Sequence, residues 1–259
     1  MTRESFIAKL RQAVASFPAE LQTSSGDWTV KGFIDVHRMV YTISSDTKVV
    51  SKIVELYLFP RLMAFASENK MNLILTKEQN FYPDMSFEDE NGNLFAVDIK
   101  SSYRCGEDTI NGMTLGAFTG YFRNRKSAKN VTHPYSAYKA HIVLGIIYTA
   151  VDDVDEVSVH SLDDLDNIQS VLRNFQFFVQ EKWRIATDRP GSGNTKNIGS
   201  VNKISQLVEG AGPFAKLGEK IFDDYWTNYL TVDMAKKAEL AAPYYKNLRE
   251  YRKFRGLDE

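Results

Sequence analysis

The chain has 259 residues, 43% of them hydrophobic, and a formal net charge of -1; that is ample material for a core and excludes a disordered chain. The near-zero charge also removes the crude argument that a strongly basic chain must bind nucleic acid, so any attraction to phosphate has to come from local clusters. A single cysteine, Cys105, cannot close an internal disulfide, and the four histidines lack the Cys/His spacing of a zinc site, so a reducing compartment is expected.

In chain order, the opening MTRESFIAKLRQAVASF has charges threaded through it and sets Phe6, Ile7, Leu10, Val14 and Phe17 on or near one face. This predicts an amphipathic helix and not a signal peptide. Ser45 and Asp46 are good helix caps. The following TKVVSKIVELYLF puts Val50, Ile53, Val54 and Tyr57 on one apolar face and Lys48, Lys52 and Glu55 on another, with Pro60 expected to end or kink the helix. A strand pattern then runs from LILT through YPDMSF to an Asn91-Gly92 hairpin signal and returns through LFAVDIKSSY. If Asn91 and Gly92 form a two-residue turn, position 85 lies opposite 98 and position 84 opposite 99.

The basic run RNRKSAK at 123–129 suits a nucleic-acid backbone and a solvated face alike. AHIVLGIIYTAV predicts a buried strand, and its apolar run is too short to span a bilayer. The acidic stretch 152–166 reads as a solvent-facing segment without chemistry. FQFFVQEKWRIA predicts another strand, leading into the turn-rich DRPGSGNTKNIGS, while KIFDDYWTNYL and YYKNLREYRKF predict closing helices. There is no internal repeat or low-complexity linker, so residues 1–259 are expected to form a single domain. The fold class is α/β (α+β), a mixed central β-sheet flanked by helices, in a soluble, cytoplasmic protein.

The candidate chemistry lies on the hairpin. Period two sends Asp98 and Lys100 to the same side of their strand while Val97 and Ile99 face the other way, and the hairpin brings Asp84 alongside. Two aspartates and a lysine at fixed separation suit phosphodiester hydrolysis, because carboxylate oxygens hold Mg²⁺ and a lysine can contact the phosphate or the attacking water. Asp98 and Lys100 also interrupt an otherwise apolar strand, where unpaired charges are costly. Glu55, on the preceding helix, is a candidate for a further metal or water ligand. The loop GSGNTKNIGS at 191–200 has glycines for tight backbone turns and Asn194, Thr195 and Asn197 as donors and acceptors suited to base edges. By composition alone an ordinary polar surface turn is the better reading; the loop lacks the Gly-Lys-Ser/Thr ending of a P-loop. Cys105 has no histidine partner for nucleophilic work, and His133 and His141 read as structural.

The strings SSDTKVVSKIVELY, EQNFYPD, AVDIKSSY, MTLGAFTGYFRN, QEKWRIATDRPGSGNTKNIGS, VEGAG, DYWTNY and REYR, in this order, closely resemble the EcoRV family of type II restriction endonucleases, within the PD-(D/E)xK nuclease superfamily. The resemblance runs from about residue 41 to the C-terminus. It implies a Mg²⁺-dependent enzyme that works as a homodimer on double-stranded DNA. Each strand is cut by in-line water attack, leaving 5′-phosphate and 3′-hydroxyl ends. Asp84, Asp98 and Lys100 match the family's catalytic positions and Glu55 its auxiliary acid, with Asp84, Asp98 and Glu55 as metal ligands. Gly191, Ser192, Gly193, Asn194, Thr195, Lys196 and Asn197 match its major-groove recognition loop, and Gln79 with Asn80 a second loop along the minor groove. Thr47, Lys48, Thr119 and Lys129 match positions at the DNA backbone or phosphates.

Residues roughly 29–42 and 155–172 correspond to the dimer interface, a two-fold arrangement that suits a palindromic site. The implied site is GATATC, cut bluntly at its centre. Three departures bear on specificity: Lys196 stands where a threonine is expected, Glu78 where a glutamine is, and Gly120 where a serine is. The alternatives are a repair or structure-specific nuclease of the same chemistry, which would share the catalytic residues but not the loop, and a non-catalytic DNA-binding relative.

Overall fold

The computed structural model describes residues 1–78, 80–152, 154, 158–191 and 196–257. Helix α1 (Arg3–Val14) forms as the sequence predicts: the Thr2 side chain accepts from the Ser5 N–H, and Phe6, Ile7, Leu10 and Val14 are buried. The short α2 (Phe17–Leu21) follows, then a small hairpin of β1 (Gly32–Ile34) and β2 (Met39–Thr42). Helix α3 (Thr47–Glu68) is capped by Asp46, whose carboxylate accepts from the Lys48 and Val49 N–H groups. It runs on past Pro60, where the sequence suggests an end or a kink. Pro60 is exposed and Leu56, whose carbonyl loses its helical donor, is also on the solvent side, so water can replace the missing bond.

The central sheet begins as a meander of β3 (Met71–Leu75), β4 (Met85–Asp89) and β5 (Leu94–Gly106). The hairpin register differs by one residue from the two-residue-turn reading: Met85 pairs with Val97 and Glu88 with Leu94. Asp89 is the cause. Its carboxylate accepts from the Asn91 and Asn93 N–H groups, and its own N–H reaches the Asn93 carbonyl, so the connection takes three residues with Gly92 at φ +74.

Beyond β5 come β6 (Thr109–Ile110), β7 (Thr114–Ala117), β8 (Tyr138–Ala150), β9 (Val159–Ser161) and β10 (Leu172–Glu181). The main sheet has the order β10-β8-β5-β4-β3. β8 runs parallel to β5 while the other pairings along this path are antiparallel, which is the mixed sheet that the pattern implies. The strand read into FQFFVQEKWRIA stops at Glu181, and Lys182–Ile185 forms a helical turn, α4, instead. β9 leaves the main sheet to join β1 and β2, and β7 pairs with β12 (Asn197–Ser200), itself paired with β11 (Ala186–Pro190).

Four helices close the chain: α5 (Ile204–Glu209), α6 (Glu219–Asn228), α7 (Val232–Lys237) and α8 (Leu248–Arg255). The last starts later than YYKNLREYRKF suggests, because Asn247 caps it by accepting from the Glu250 N–H and the Glu250 carboxylate returns to the Lys246 N–H. No helix among the described residues is long and apolar enough to cross a membrane.

Each face of the sheet carries its own core. On one, Phe95 and Val97 of β5 meet α1 and α3, with the Phe6 and Phe95 rings stacked at 4.3 Å. On the other, Leu94 and Ala96 join the aromatic cluster of Tyr135, Phe214, Tyr225 and Trp226. Alternation along β5 therefore carries Asp98 and Lys100 to the second face.

Candidate active site

Asp84 sits just before β4, after the cis Tyr82-Pro83 bond, while Asp98 and Lys100 stand two residues apart on β5. The register brings the two segments level, and the Asp84 Oδ2 accepts from the Ile99 N–H at 2.7 Å. This bond ties the loop carboxylate to the strand that carries the other two groups. Lys100 lies between the acids, its Nζ 2.7 Å from Asp98 Oδ2 and 3.7 Å from Asp84 Oδ2. The three predicted catalytic residues thus meet at one point.

Their electrostatics are uneven. Burial and the neighbouring Asp98 charge push the Asp84 carboxyl up to about 7, against the pull of Lys100. Asp98 is the more buried acid, and burial alone would raise it, but the adjacent Lys100 ammonium holds it below the ordinary carboxylate range. Burial works against the Lys100 charge too, yet the Asp98 and Asp84 carboxylates raise its pKa, so it stays protonated at neutral pH. One lysine does not neutralise two carboxylates, and the surplus falls on Asp84.

That surplus is the chemical case for a cation. Two oxygen-donor side chains crowded until one resists ionisation fit a hard divalent ion, whose charge would relieve the crowding. Among the described residues no three acidic, histidine or cysteine side chains are grouped as a ready-made cage, so the rest of a coordination shell falls to water and substrate oxygens. Glu55 faces a cleft of about 670 Å³ that Asp84 also lines, its carboxylate paired with the exposed Lys52 at 2.9 Å and its charge acting on Asp84.

The outer candidates are spread around this centre. Thr47 and Lys48 are exposed at the start of α3, and Lys48 lines the same cleft as Glu55 and Asp84. Thr119 and Lys129 line one small cavity of about 360 Å³ with Gly120, which takes φ +57 without strain because it is glycine. In the basic run, Arg125 is bound to Asp223 and Arg123 donates to the Tyr229 carbonyl, which leaves Lys126 and Lys129 as its exposed cations. Asn80 is exposed, whereas Gln79 lies outside the described residues.

The predicted recognition loop springs from the junction of β11 and β12. Ser192, Gly193, Asn194 and Thr195 lie outside the described residues, but both ends are fixed: the Gly191 N–H donates to the Asn197 carbonyl and the Phe118 N–H to the Lys196 carbonyl. The second bond anchors the loop next to Thr119. Glu78 is exposed, and its carbonyl accepts from the Phe81 N–H, shaping the turn that leads to Asp84.

One neighbour of the centre escapes the sequence reading altogether. Lys182 is buried against the rings of Tyr82, Phe122 and Tyr135, and its charge acts on Asp98. Read as part of an alternating strand, it falls among the polar positions Gln180 and Arg184 and gives no sign of burial. His141, structural as expected, stacks on Tyr135 and shares a 2.8 Å hydrogen bond with the Tyr82 hydroxyl.

Comparison with known proteins places these residues in context. The family model described as restriction endonuclease EcoRV matches residues 24–256. The type II restriction enzyme EcoRV of Escherichia coli is 35% identical over 229 residues, which span 87% of this chain and 90% of that protein. Among solved structures, the NlaIV restriction endonuclease aligns over 98% of this chain and 96% of its own, with a TM-score of 0.40 at 10% identity.

Proposed function

The chain belongs to the EcoRV family of restriction endonucleases and is a type II restriction endonuclease, and from that premise we propose that it hydrolyses both strands of duplex DNA at a short palindrome, as a Mg²⁺-dependent homodimer. The observation that carries this reading is the meeting of Asp84, Asp98 and Lys100 at one point, with Asp84 lining an open cleft. The proposed site is GATATC with a blunt central cut. Digestion of a mixed-sequence plasmid with Mg²⁺ tests it: discrete fragments with identical mapped ends are expected, and nicking that follows DNA structure instead of sequence would overturn the reading.

In the mechanism, Asp84 and Asp98 would hold the metal through carboxylate oxygens. When bound, Mg²⁺ supplies positive charge against the negative charge that grows on phosphorus and makes a coordinated water more acidic. Lys100, fixed by both carboxylates, presents its remaining protons to a phosphate oxygen or to the attacking water. Glu55, across the cleft, is placed to act on solvent or a further cation only after parting from Lys52. The strands hold these groups at set distances, so little reorganisation is needed when substrate arrives.

Dimerisation is supported by the small sheet. Phe33, Ile34, Val36, Tyr41 and Val159 are all exposed on or beside β1, β2 and β9, a concentration of apolar side chains that water does not favour. These residues fall in the predicted segments 29–42 and 155–172. Of the second segment, residues 155–157 lie outside the described set. Ile34→Asp is expected to shift the protein from dimer to monomer in sedimentation velocity and to reduce double-strand cleavage by roughly a hundredfold, since each half-site loses its partner. A dimer that persists with full activity would place the interface elsewhere.

Lys196 favours added phosphate contact. It lines a groove of about 410 Å³ with Lys237 and Lys246, against the single acid Asp233. Lys196→Thr is expected to flatten the dependence of log affinity on log salt by about one unit per protomer while leaving base preference intact. Filter binding of cognate and random duplexes over a salt series measures both.

A further inference from the structure

Lys182 opens α4 at the end of β10, with only 2% of its surface reaching solvent. Its Nζ lies 5.1 Å from the ring centre of Tyr82 and 5.6 Å from those of Phe122 and Tyr135. The fourth wall is backbone: Gly116, at φ +90, is close enough that a Cβ there would lie 3.3 Å from the ammonium and 3.1 Å from the Tyr121 hydroxyl. Among the described residues none offers this ammonium a hydrogen-bond acceptor. Ring faces recover part of the lost hydration, but a buried, unpaired ammonium remains an expensive feature for a fold to keep without a use.

Two connections tie the cage to the catalytic centre. Tyr82, one of its walls, stands two residues before Asp84 and is braced from behind by His141. Asp98 is the strongest opposite charge acting on Lys182, ahead of Asp223, while Lys100 and Arg125 repel it. Burial pushes the Lys182 pKa down to about 8, so the ammonium still carries its proton at neutral pH. Lys182 is thus a second positive charge, beside Lys100, acting on Asp98.

We propose that Lys182 is a positioning residue of the active site, a caged counter-charge to Asp98 that limits how tightly Asp84 and Asp98 take up a divalent cation. The inference rests on the reading of those aspartates as metal ligands. Its test is Mn²⁺ binding to the full-length protein without DNA, followed by the electron paramagnetic resonance signal of the free ion. Lys182→Met, which fills the cage without charge, is expected to tighten Mn²⁺ binding about tenfold, and Lys182→Arg to leave it within about twofold. Unchanged affinity in Lys182→Met, or equal shifts in both variants, would overturn the proposal.

If Lys182→Met does not fold, Lys182→Gln carries the same comparison. If every neutral replacement unfolds while Lys182→Arg does not, the charge serves the fold and the proposal falls. Asp98→Ala is the control for the underlying reading and should lose the Mn²⁺ site. Equal Mn²⁺ uptake by wild type and Asp98→Ala would sink the metal assignment itself, and this inference with it.

Discussion

Asp98→Ala is expected to slow strand cleavage by at least about a thousandfold while leaving a folded protein. Asp98 is the most buried of the three central groups and the closest partner of Lys100, at 2.7 Å. On the proposed mechanism its loss removes a metal oxygen and frees the lysine that would meet the phosphate. The fold survives because two effects oppose each other: Lys100 loses one partner, but Asp84 loses the like charge that crowds it and becomes the better partner at 3.7 Å. Single-turnover cleavage at saturating Mg²⁺, beside a thermal melt, checks both halves. Undiminished cleavage would remove Asp98 from the chemistry.

Asp84→Asn separates function from stability further. Cleavage should fall as far as in Asp98→Ala, yet the variant should be more stable than the wild type at pH 8. A carboxyl that titrates near 7 when folded and near the ordinary value of about 3.9 when unfolded weakens the fold as it ionises. Wild-type stability thus falls as pH climbs between those two values, and an amide escapes that loss while keeping an oxygen for the Ile99 N–H. About a third of the Asp84 side chain reaches solvent, so screening reduces the gain to about 1 kcal/mol. The gain should shrink as pH falls through this window and vanish only below about 3.9, where the carboxyl is protonated in the folded and the unfolded chain alike.

The parts of this site that the sequence makes legible are those governed by short-range periodicity. Asp98 and Lys100 share a face because side chains alternate on any strand, and the charges stand out because β5 is otherwise apolar. The register of Asp84 against them was harder to read. An Asn-Gly pair suggests a two-residue turn, but the Asp89 carboxylate gathers two N–H groups and lengthens the turn by one residue. The site survives that slip because Asp84 reaches it through a side-chain bond to Ile99, not through strand pairing.

Longer-range facts are invisible at that level. The partner that engages Glu55, Lys52, was legible as a neighbour on the same helix, but the place of both beside Asp84 depends on how α3 meets β3 and β4 across the cleft. Lys182 belongs to the same class. Its neighbours come from residues 82, 116, 121, 122 and 135, five positions that only the tertiary fold assembles. Likewise α3 tolerates Pro60 because of which side faces solvent, a fact about packing and not about proline.

Asn194→Ala is expected to reduce cutting of the cognate duplex by roughly thirtyfold to twenty-thousandfold while leaving binding to random DNA nearly unchanged. Asn194 itself lies outside the described residues, so the argument runs from its chemistry and its mounting. An asparagine amide offers a donor and an acceptor side by side, the pattern that reads adenine in the major groove. The loop that carries it is not free to drift at its base, since Gly191 is bonded to Asn197 and Lys196 to Phe118. Such a contact discriminates by about 1–3 kcal/mol, and a two-fold dimer on a palindrome makes it twice, which yields the stated range. Random DNA is held through phosphates instead, to which Lys48, Lys129 and Lys196 are the suited groups. Cleavage of a short cognate duplex and the affinity for a random one, measured at the same salt, separate the two roles. Equal losses in both would mean that the loop grips the backbone and that specificity resides elsewhere.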